Sequence, residues 1–452
     1  MIDNNTTNPH FLHRQLFLYA VFGTLLVLLI TALSAKAQDR QLTLDEAVKL
    51  GIENSNTLKL SNSKIEQAVE QYNQAKASAL PTGNVSFGYN RAQIPANRLA
   101  FGEESITLPG SANAYMGILS LNQVIFGGNK LKYARASTEL LTQVARLDAV
   151  NNRDEIVYSI INSYYNLYKV LQGKKVVEQN LATLDAQIKQ SQRFFDQGIV
   201  TKNDVLQFQL QKANVELNGI DLENNRKIVN YNLDILLGLP EATQLTIADV
   251  VTADKPISIL NNYIDTALAN RPELKQADLQ AKVADYNISD VKANTLPNLA
   301  ASAGAYYIDV SANPLPKAGN FITPITVGLT ASWNFGALWT NKHRVTEARI
   351  ERKQADINKD ITVDRIRNEV NQNYQNYIAA QSKIKLLQTA IAQAGENNKI
   401  LESKYRSSIA SAVERADAQT LLYQAQINLE LAKADAGLAY YTLLKSTGKL
   451  NK

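Results

Sequence analysis

Hydrophobic positions along this chain change period at fixed places, and they do so twice. Between residues 42 and 79 apolar side chains recur at helical spacing: Leu44, Ala47, Val48 and Ile52, then Leu58, Ile65, Ala68, Val69 and Tyr72. Thr43 and Glu46 stand as a capping box at the start. Leu80-Pro81 stops this stretch, because proline lacks an N–H and restricts the residue before it. The period then falls to two. Val85, Phe87 and Tyr89 alternate with Asn84, Ser86, Gly88 and Asn90. Residues 91–113 hold Pro95, Gly102, Pro109 and Gly110 and read as an exposed loop. Beyond it Tyr115, Gly117, Leu119, Leu121, Gln123 and Ile125 share one face of a second run that ends at Phe126. Alternation of this kind predicts strands.

Residues 129–195 contain no Pro and only Gly173, which predicts a helix of roughly 100 Å at ~1.5 Å per residue. Ile156, Ile160, Tyr164, Leu167, Tyr168 and Leu171 form one stripe along it, continued by Val177, Leu181, Leu184 and Ile188. A turn near Gly198 leads into a second helix carrying Leu206, Leu210, Ala213, Leu217 and Ile220. The same plan then recurs about 210 residues further on. A helical stretch opens near Ile257 and stops at Leu296-Pro297. Two alternating runs follow, 298–310 and 321–335, around a loop with Pro314 and Pro316. In the later run Ile325, Val327, Leu329, Ala331 and Trp333 alternate. Another long hairpin comes next, in which Leu422, Ala425, Leu429, Ala432, Ala436, Ala439 and Leu443 keep the 3.5-residue period of a coiled coil. The chain therefore divides into 38–250 and 251–452. Each part is a helix, a strand pair and a long helical hairpin.

Residues 1–37 read as an export signal. His10, His13 and Arg14 precede an apolar run from Leu16 to Leu33, and Ala35-Lys36-Ala37 is a small-x-small cleavage site. The apolar run is also near the lower limit for a spanning helix, and the cleavage site decides for removal. No later stretch is long and apolar enough for a membrane helix, but the alternating strands of a β-barrel leave no such peak. Aromatic residues at the ends of the runs, among them Phe126, Trp333 and Phe335, favour membrane strands with interface belts over a soluble hairpin.

Composition removes other readings. There is no Cys, hence no disulfide, thiolate metal site or lipid-modified Cys. The chain beyond residue 37 keeps one His, His343, read as a solvated residue near a helix start, so triad and zinc chemistry have little to build on. A carboxylate-pair hydrolase has no motif behind it. Lys and Arg outnumber Asp and Glu by 47 to 42 over the whole chain, without basic clusters, so there is no nucleic-acid footprint. No cofactor is called for. Four strands cannot close a barrel alone, and open edges cannot face lipid. If these are membrane strands, chains must associate. Three chains give twelve strands, an even number in the usual bacterial range; two or four would also close.

These features together resemble the outer-membrane efflux protein family, the TolC family. The likeness runs over about 42–448. It rests on Leu42-Thr43-Leu44-Asp45-Glu46-Ala47, the two helix-Leu-Pro-strand junctions, the strand ends Phe126-Gly127-Gly128 and Phe335-Gly336, and above all the hairpin tips. The family tip has an aromatic residue, then Gly, then Ser or Thr three on, then an acid three further. Here it reads Phe195, Gly198, Thr201, Asp204, and again Tyr405, Ser408, Ser411, Glu414 with Asp417. By its own chemistry Gly198 suits a left-handed helix end, Thr201 and Ser411 suit N-caps, and the acids three on suit capping boxes.

The resemblance implies a mostly helical protein with membrane strands: a homotrimeric 12-stranded β-barrel continuing into a periplasmic helical coiled-coil barrel. It further implies a Gram-negative outer-membrane exit duct for efflux or type I secretion, surrounded by outer-membrane lipid. Its partners would be a periplasmic adaptor (membrane fusion) protein and an inner-membrane pump. Glu414 and Asp417 match the acids that ring the family's periplasmic entrance, and the tip turns match its adaptor-docking sites. Two departures stand out. Ser408 replaces the expected Gly, which leaves the shape of that turn open. Ala410 stands where some members carry a basic residue that helps lock the entrance, so a lock of that kind does not carry over. The competing reading is a soluble periplasmic coiled-coil adaptor or scaffold, which explains the helices but not the duplicated strand pairs.

Overall fold

A computed structural model of the chain describes residues 40–93, 95, 98–107, 110–241, 243–248, 257–313 and 323–450. The expected signal, the loop with Pro314 and Pro316, and Phe321 lie outside the described residues. In chain order the elements are β1 (Arg40–Leu42), α1 (Leu44–Asn54), α2 (Asn56–Ala77), β2 (Thr82–Gln93), β3 (Arg98–Phe101), β4 (Glu104–Thr107), β5 (Ser111–Phe126), α3 (Lys130–Asp196), α4 (Lys202–Leu237) and β6 (Leu245–Ile247). There follow α5 (Leu260–Asn270), α6 (Pro272–Ala293), β7 (Asn298–Asn313), β8 (Ile325–Ser332), α7 (Ala337–Thr340), α8 (Lys342–Arg406) and α9 (Ala412–Ser446).

Three details differ from the sequence reading. The approach helix of each half is two helices. The first breaks at Ser55, in extended backbone, where the Asn54 side-chain amide donates to Leu237 O at 2.7 Å. The second breaks at Arg271, directly before Pro272. Part of the expected loop 91–113 is a small hairpin, β3 against β4, turning through Gly102 at φ +66°. The last strand ends at Ser332, so Trp333 and Phe335 follow it rather than belonging to it.

The described residues form two compact units, one made of those within 1–55, 155–257 and 373–445, the other of those within 56–154, 258–372 and 446–452. The second contains a four-stranded antiparallel sheet in the order β2-β5-β7-β8. Its register gives the two faces different character. Val85 and Tyr89 stand opposite Leu119 and Tyr115. Leu119 stands opposite Ala305, and Ala305, Ala303 and Ala301 opposite Ile325, Val327 and Leu329. The other face carries small polar residues along part of its length, Asn84 opposite Ser120, Ser120 opposite Gly304, and Gly304 opposite Thr326, and larger ones further on, Ile118 opposite Tyr306 and Met116 opposite Ile308. The apolar face is bare, with Ile325, Val327 and Leu329 between 71 % and 84 % exposed. From Tyr115 to Ile125 the strand advances by ten residue steps, about 25 Å of height at a tilt of ~40°, the height of a bilayer's apolar band. The sheet hangs on α6 and the starts of α3 and α8. Asn341 donates to Val291 O at 2.6 Å, and Gly128, at φ +67°, sits where a Cβ would strike Ala293 O. Ala267, Leu274, Ile366 and Val370 form a small core beside Arg271, whose guanidinium holds Glu273 (2.6 Å) and Glu369 (3.1 Å).

The first unit is a helical bundle that includes a parallel pair, β1 on β6. Buried Tyr164 ties helix to strand by donating its hydroxyl to Leu42 O at 3.1 Å. Val176, Val177, Leu184, Val215 and Tyr423 make the core between α3, α4 and α9. The α9 seam read from the sequence is buried at Ala425, Leu429, Ala432, Ala436 and Leu443. The α4 stripe is not: Leu206, Leu210, Leu217 and Ile220 are exposed, while Val205, Phe208 and Val215 face the core. The apolar side of α4 is thus exposed on the single chain. Among the described residues no helix is long and apolar enough to cross a membrane.

Candidate functional site: the hairpin tips and the strand ends

Helix α3 ends in a turn that the backbone closes twice. Gly198 N donates to Phe195 O (2.9 Å) and Ile199 N to Phe194 O (2.8 Å), with Gly198 left-handed at φ +73°. This is the double closure of a Schellman helix end. At the second tip Ser408 N donates to Tyr405 O (3.0 Å) and Ile409 N to Lys404 O (2.8 Å), with Ser408 left-handed at φ +59°. The question that Ser408 left open is therefore resolved. The turn is the same, and serine bears a conformation that glycine adopts freely.

The following helices start alike. Thr201 N and Oγ1 both donate to Asp204 Oδ2, at 2.8 and 2.7 Å. Ser411 N and Oγ both donate to Glu414 Oε2, at 2.8 and 2.9 Å, and Glu414 N donates back to Ser411 Oγ at 3.2 Å. These bonds, with Lys404 nearby, hold the Glu414 carboxyl below the usual carboxylate range, so it is ionised near neutrality. Glu414 and Asp417 are exposed and three apart on α9, which puts both charges on one side of the helix.

The two tips pack on each other through aromatic residues. Tyr405 is buried against Phe194 (ring centroids 6.0 Å) and Phe208 (5.7 Å), with Ala412 and Ala416 completing the cluster. The motif aromatic of the first tip, Phe195, is instead exposed, so its neighbour Phe194 does the packing. Behind the tips a polar seam joins α3 to α9: Gln419 donates to Asn180 Oδ1 at 2.7 Å, both buried.

Arg415 was not singled out by the sequence. It is 3 % exposed, donates to Asn398 Oδ1 on α8, and lies 3.7 Å from Glu402, which also holds Arg406 at 2.6 Å. Burial lowers its pKa. The signal was in the duplication. Four residues after its N-cap the first tip has buried Val205, and the second has Arg415.

In the strand-bearing unit, Phe126 ends β5 exposed, and Trp333 and Phe335 stand exposed beyond β8. Trp333 stacks edge-on to Phe335 (6.4 Å), Phe335 lies 5.9 Å from Trp339, and the Trp333 indole donates to Thr295 O at 3.0 Å. Ring faces exposed with the polar atom satisfied suit a membrane–water boundary.

Comparison with known proteins agrees with this geometry. The family model described as outer membrane efflux protein matches residues 48–239 and 263–449. The outer membrane efflux protein BepC of Brucella suis is 24 % identical over 412 residues, covering 90 % of this chain and 86 % of that one. The outer membrane protein TolC of Escherichia coli is 22 % identical over 407 residues, covering 87 % and 80 %. The solved structure of CusC superposes with a TM-score of 0.76 at 15 % identity, covering 91 % of this chain and 92 % of that one. That of VceC from Vibrio cholerae superposes at 0.74 and 17 %, covering 90 % and 96 %. With both halves matched by the family model, and the paired strand and hairpin elements in place, the chain belongs to the outer membrane efflux protein family.

Proposed function

We propose that this chain is one third of a passive exit duct whose strands lie in the outer membrane and whose helical hairpins reach into the periplasm. It works with a periplasmic adaptor and an inner-membrane pump, and the pump supplies the energy. The observation that carries the reading is the four-stranded sheet with a bare apolar face and two unpaired edges, β2 and β8. Such edges need neighbouring copies, and three copies close a 12-stranded barrel. The soluble-scaffold alternative has no use for that face. The chain performs no catalysis; its chemistry is selection by charge and width. Residues 1–37 are removed on export, and 38–250 and 251–452 are two repeats of one plan.

Within this duct Glu414 and Asp417 line the periplasmic constriction, six carboxylates in a trimer that favour cations. The turns at Gly198, Thr201 and Asp204 and at Ser408 and Ser411 receive the adaptor. Phe126, Trp333 and Phe335 form the belt at the periplasmic edge of the bilayer. The test is the native mass and single-channel conductance of protein extracted from outer membranes. A detergent-dependent trimer should conduct with cation preference, and Glu414→Gln/Asp417→Asn should lose that preference while keeping its mass. A detergent-free monomer would end the duct reading. A cation preference unchanged in the double variant would remove these two residues from the constriction.

A further inference from the structure

The cations at the ends of the strands break a local rule. Helix N-termini favour acids, because the macrodipole is positive there. Yet α3 opens with Lys130 and Lys132, α8 opens with Lys342 and Arg344, and neither has an acid in its first turn. The pattern extends to every junction between helix and membrane strand. No Asp or Glu occurs between Glu70 and Glu103, between Glu104 and Glu139, between Asp290 and Asp309, or between Asp309 and Glu347. Into those windows, just beyond the strand ends, fall Lys76, Lys132, Arg135, Lys292, Lys342 and Arg344. All six are exposed, and none is in an ion pair among the described residues. Lys76 and Arg135 both lie near the Tyr72 ring, at 5.6 and 5.9 Å. Beside this charge stand the exposed apolar groups Trp333, Phe335, Leu338 and Trp339.

We infer that this acid-free collar binds the headgroups of anionic phospholipids in the periplasm-facing leaflet. The inference rests on the sheet lying in the membrane. Three observations meet at the junctions between helices and strands. The bare apolar face of the sheet ends there, the aromatic residues that sit at headgroup level cluster there, and a belt of unpaired cations begins there with no acid to repel a phosphate. Cations close to an anionic lipid surface gain Coulomb attraction, and helix N-termini add to it. A zwitterionic bilayer would satisfy the aromatic residues but would give no reason to exclude acids from four separate windows.

The experiment places the trimer in vesicles of equal phosphatidylglycerol and phosphatidylcholine, re-extracts it gently and counts retained lipid by native mass spectrometry. The wild type should retain phosphatidylglycerol over phosphatidylcholine roughly tenfold, and the preference should fall as salt rises. The variant Lys132→Gln/Lys292→Gln/Lys342→Gln/Arg344→Gln should retain the two lipids about equally. Trp339→Ala should reduce both lipids without changing their ratio. Equal retention by the wild type overturns the inference, as does a preference that survives in the quadruple variant. If that variant does not assemble, the salt series on the wild type decides, and a preference indifferent to salt overturns it. Failure of the wild type to enter vesicles at all would instead overturn the membrane reading beneath it.

Discussion

Ser408 holds φ +59°, a region where an L side chain costs roughly 1 kcal/mol or more. Ser408→Gly should therefore raise stability by about 1 kcal/mol, and Gly198→Ala at the matching turn should lower it by a similar amount. Thermal unfolding of the two variants reads both signs, and the paired outcome tests whether the tips share one geometry. Asp234 is a second local liability. It is fully buried on α4, with one carboxylate oxygen accepting from Asn230 (2.8 Å) and the other without a partner. Burial pushes its carboxyl up from 3.8 to about 6. The folded state thus binds the proton more tightly than the unfolded chain does. Its stability is fully present below about pH 4 and falls as pH rises through about 6. Asp234→Asn should stabilise the protein by up to ~3 kcal/mol at pH 7.5 and by little at pH 4. Unfolding midpoints at the two pH values check this, and an equal gain at both would refute the titration. Neither residue was legible as a liability from its type alone. Ser408 was visible as a departure from glycine, but its φ is set by a turn that α8 and α9 impose. Asp234 lies among the polar positions of a helix whose buried side differs from the stripe the sequence suggested.

At the scale of elements, the change of hydrophobic period identified every long helix and all four strands of the sheet, because each keeps one period along its length. What the period missed has particular causes. The break at Ser55 accompanies a distant partner, Leu237 O for the Asn54 side chain, whereas the break at Arg271 is local: Pro272 keeps the residue before it out of helical backbone and opens the next helix. The β3–β4 hairpin is too short, at four residues a strand, to show alternation. The α4 stripe is apolar as its spacing indicates, but it stands exposed, and periodicity alone does not tell an exposed stripe from a buried one. Close helix packing gives a prediction of its own. Gly437 lies in α9 where a Cβ would come within 2.3 Å of the Tyr165 ring. Helix propensity favours alanine there by about 1 kcal/mol, whereas overpacking costs ~1–3 kcal/mol. The ring is buried and held among Tyr164 and Tyr441, so it has little room to retreat. Gly437→Ala should lower the unfolding midpoint. A rise would mean that α3 and α9 are not held at this distance.

For the whole molecule the decisive asymmetry is between the two faces of one sheet. Adjacent residues on β8 test it. Val327 lies on the bare apolar face opposite Ala303, and Thr326 on the polar face opposite Gly304. If the apolar face meets hydrocarbon, a lysine at Val327 must bring its charge into lipid, at a cost of roughly 2–4 kcal/mol near mid-depth. A lysine at Thr326 points into the water-filled interior and should cost little. Because β8 is an edge strand, the loss falls on assembly as well as on the single chain: its free backbone groups are satisfied only by a neighbouring copy. Val327→Lys should therefore reduce the yield of detergent-extracted trimer and its resistance to heat. Thr326→Lys should leave both near the wild-type level while altering conductance. The reverse ranking would turn the sheet inside out. Two equally mild variants would mean that the apolar face meets water or protein rather than lipid, and the closure argument for three chains would fall with it.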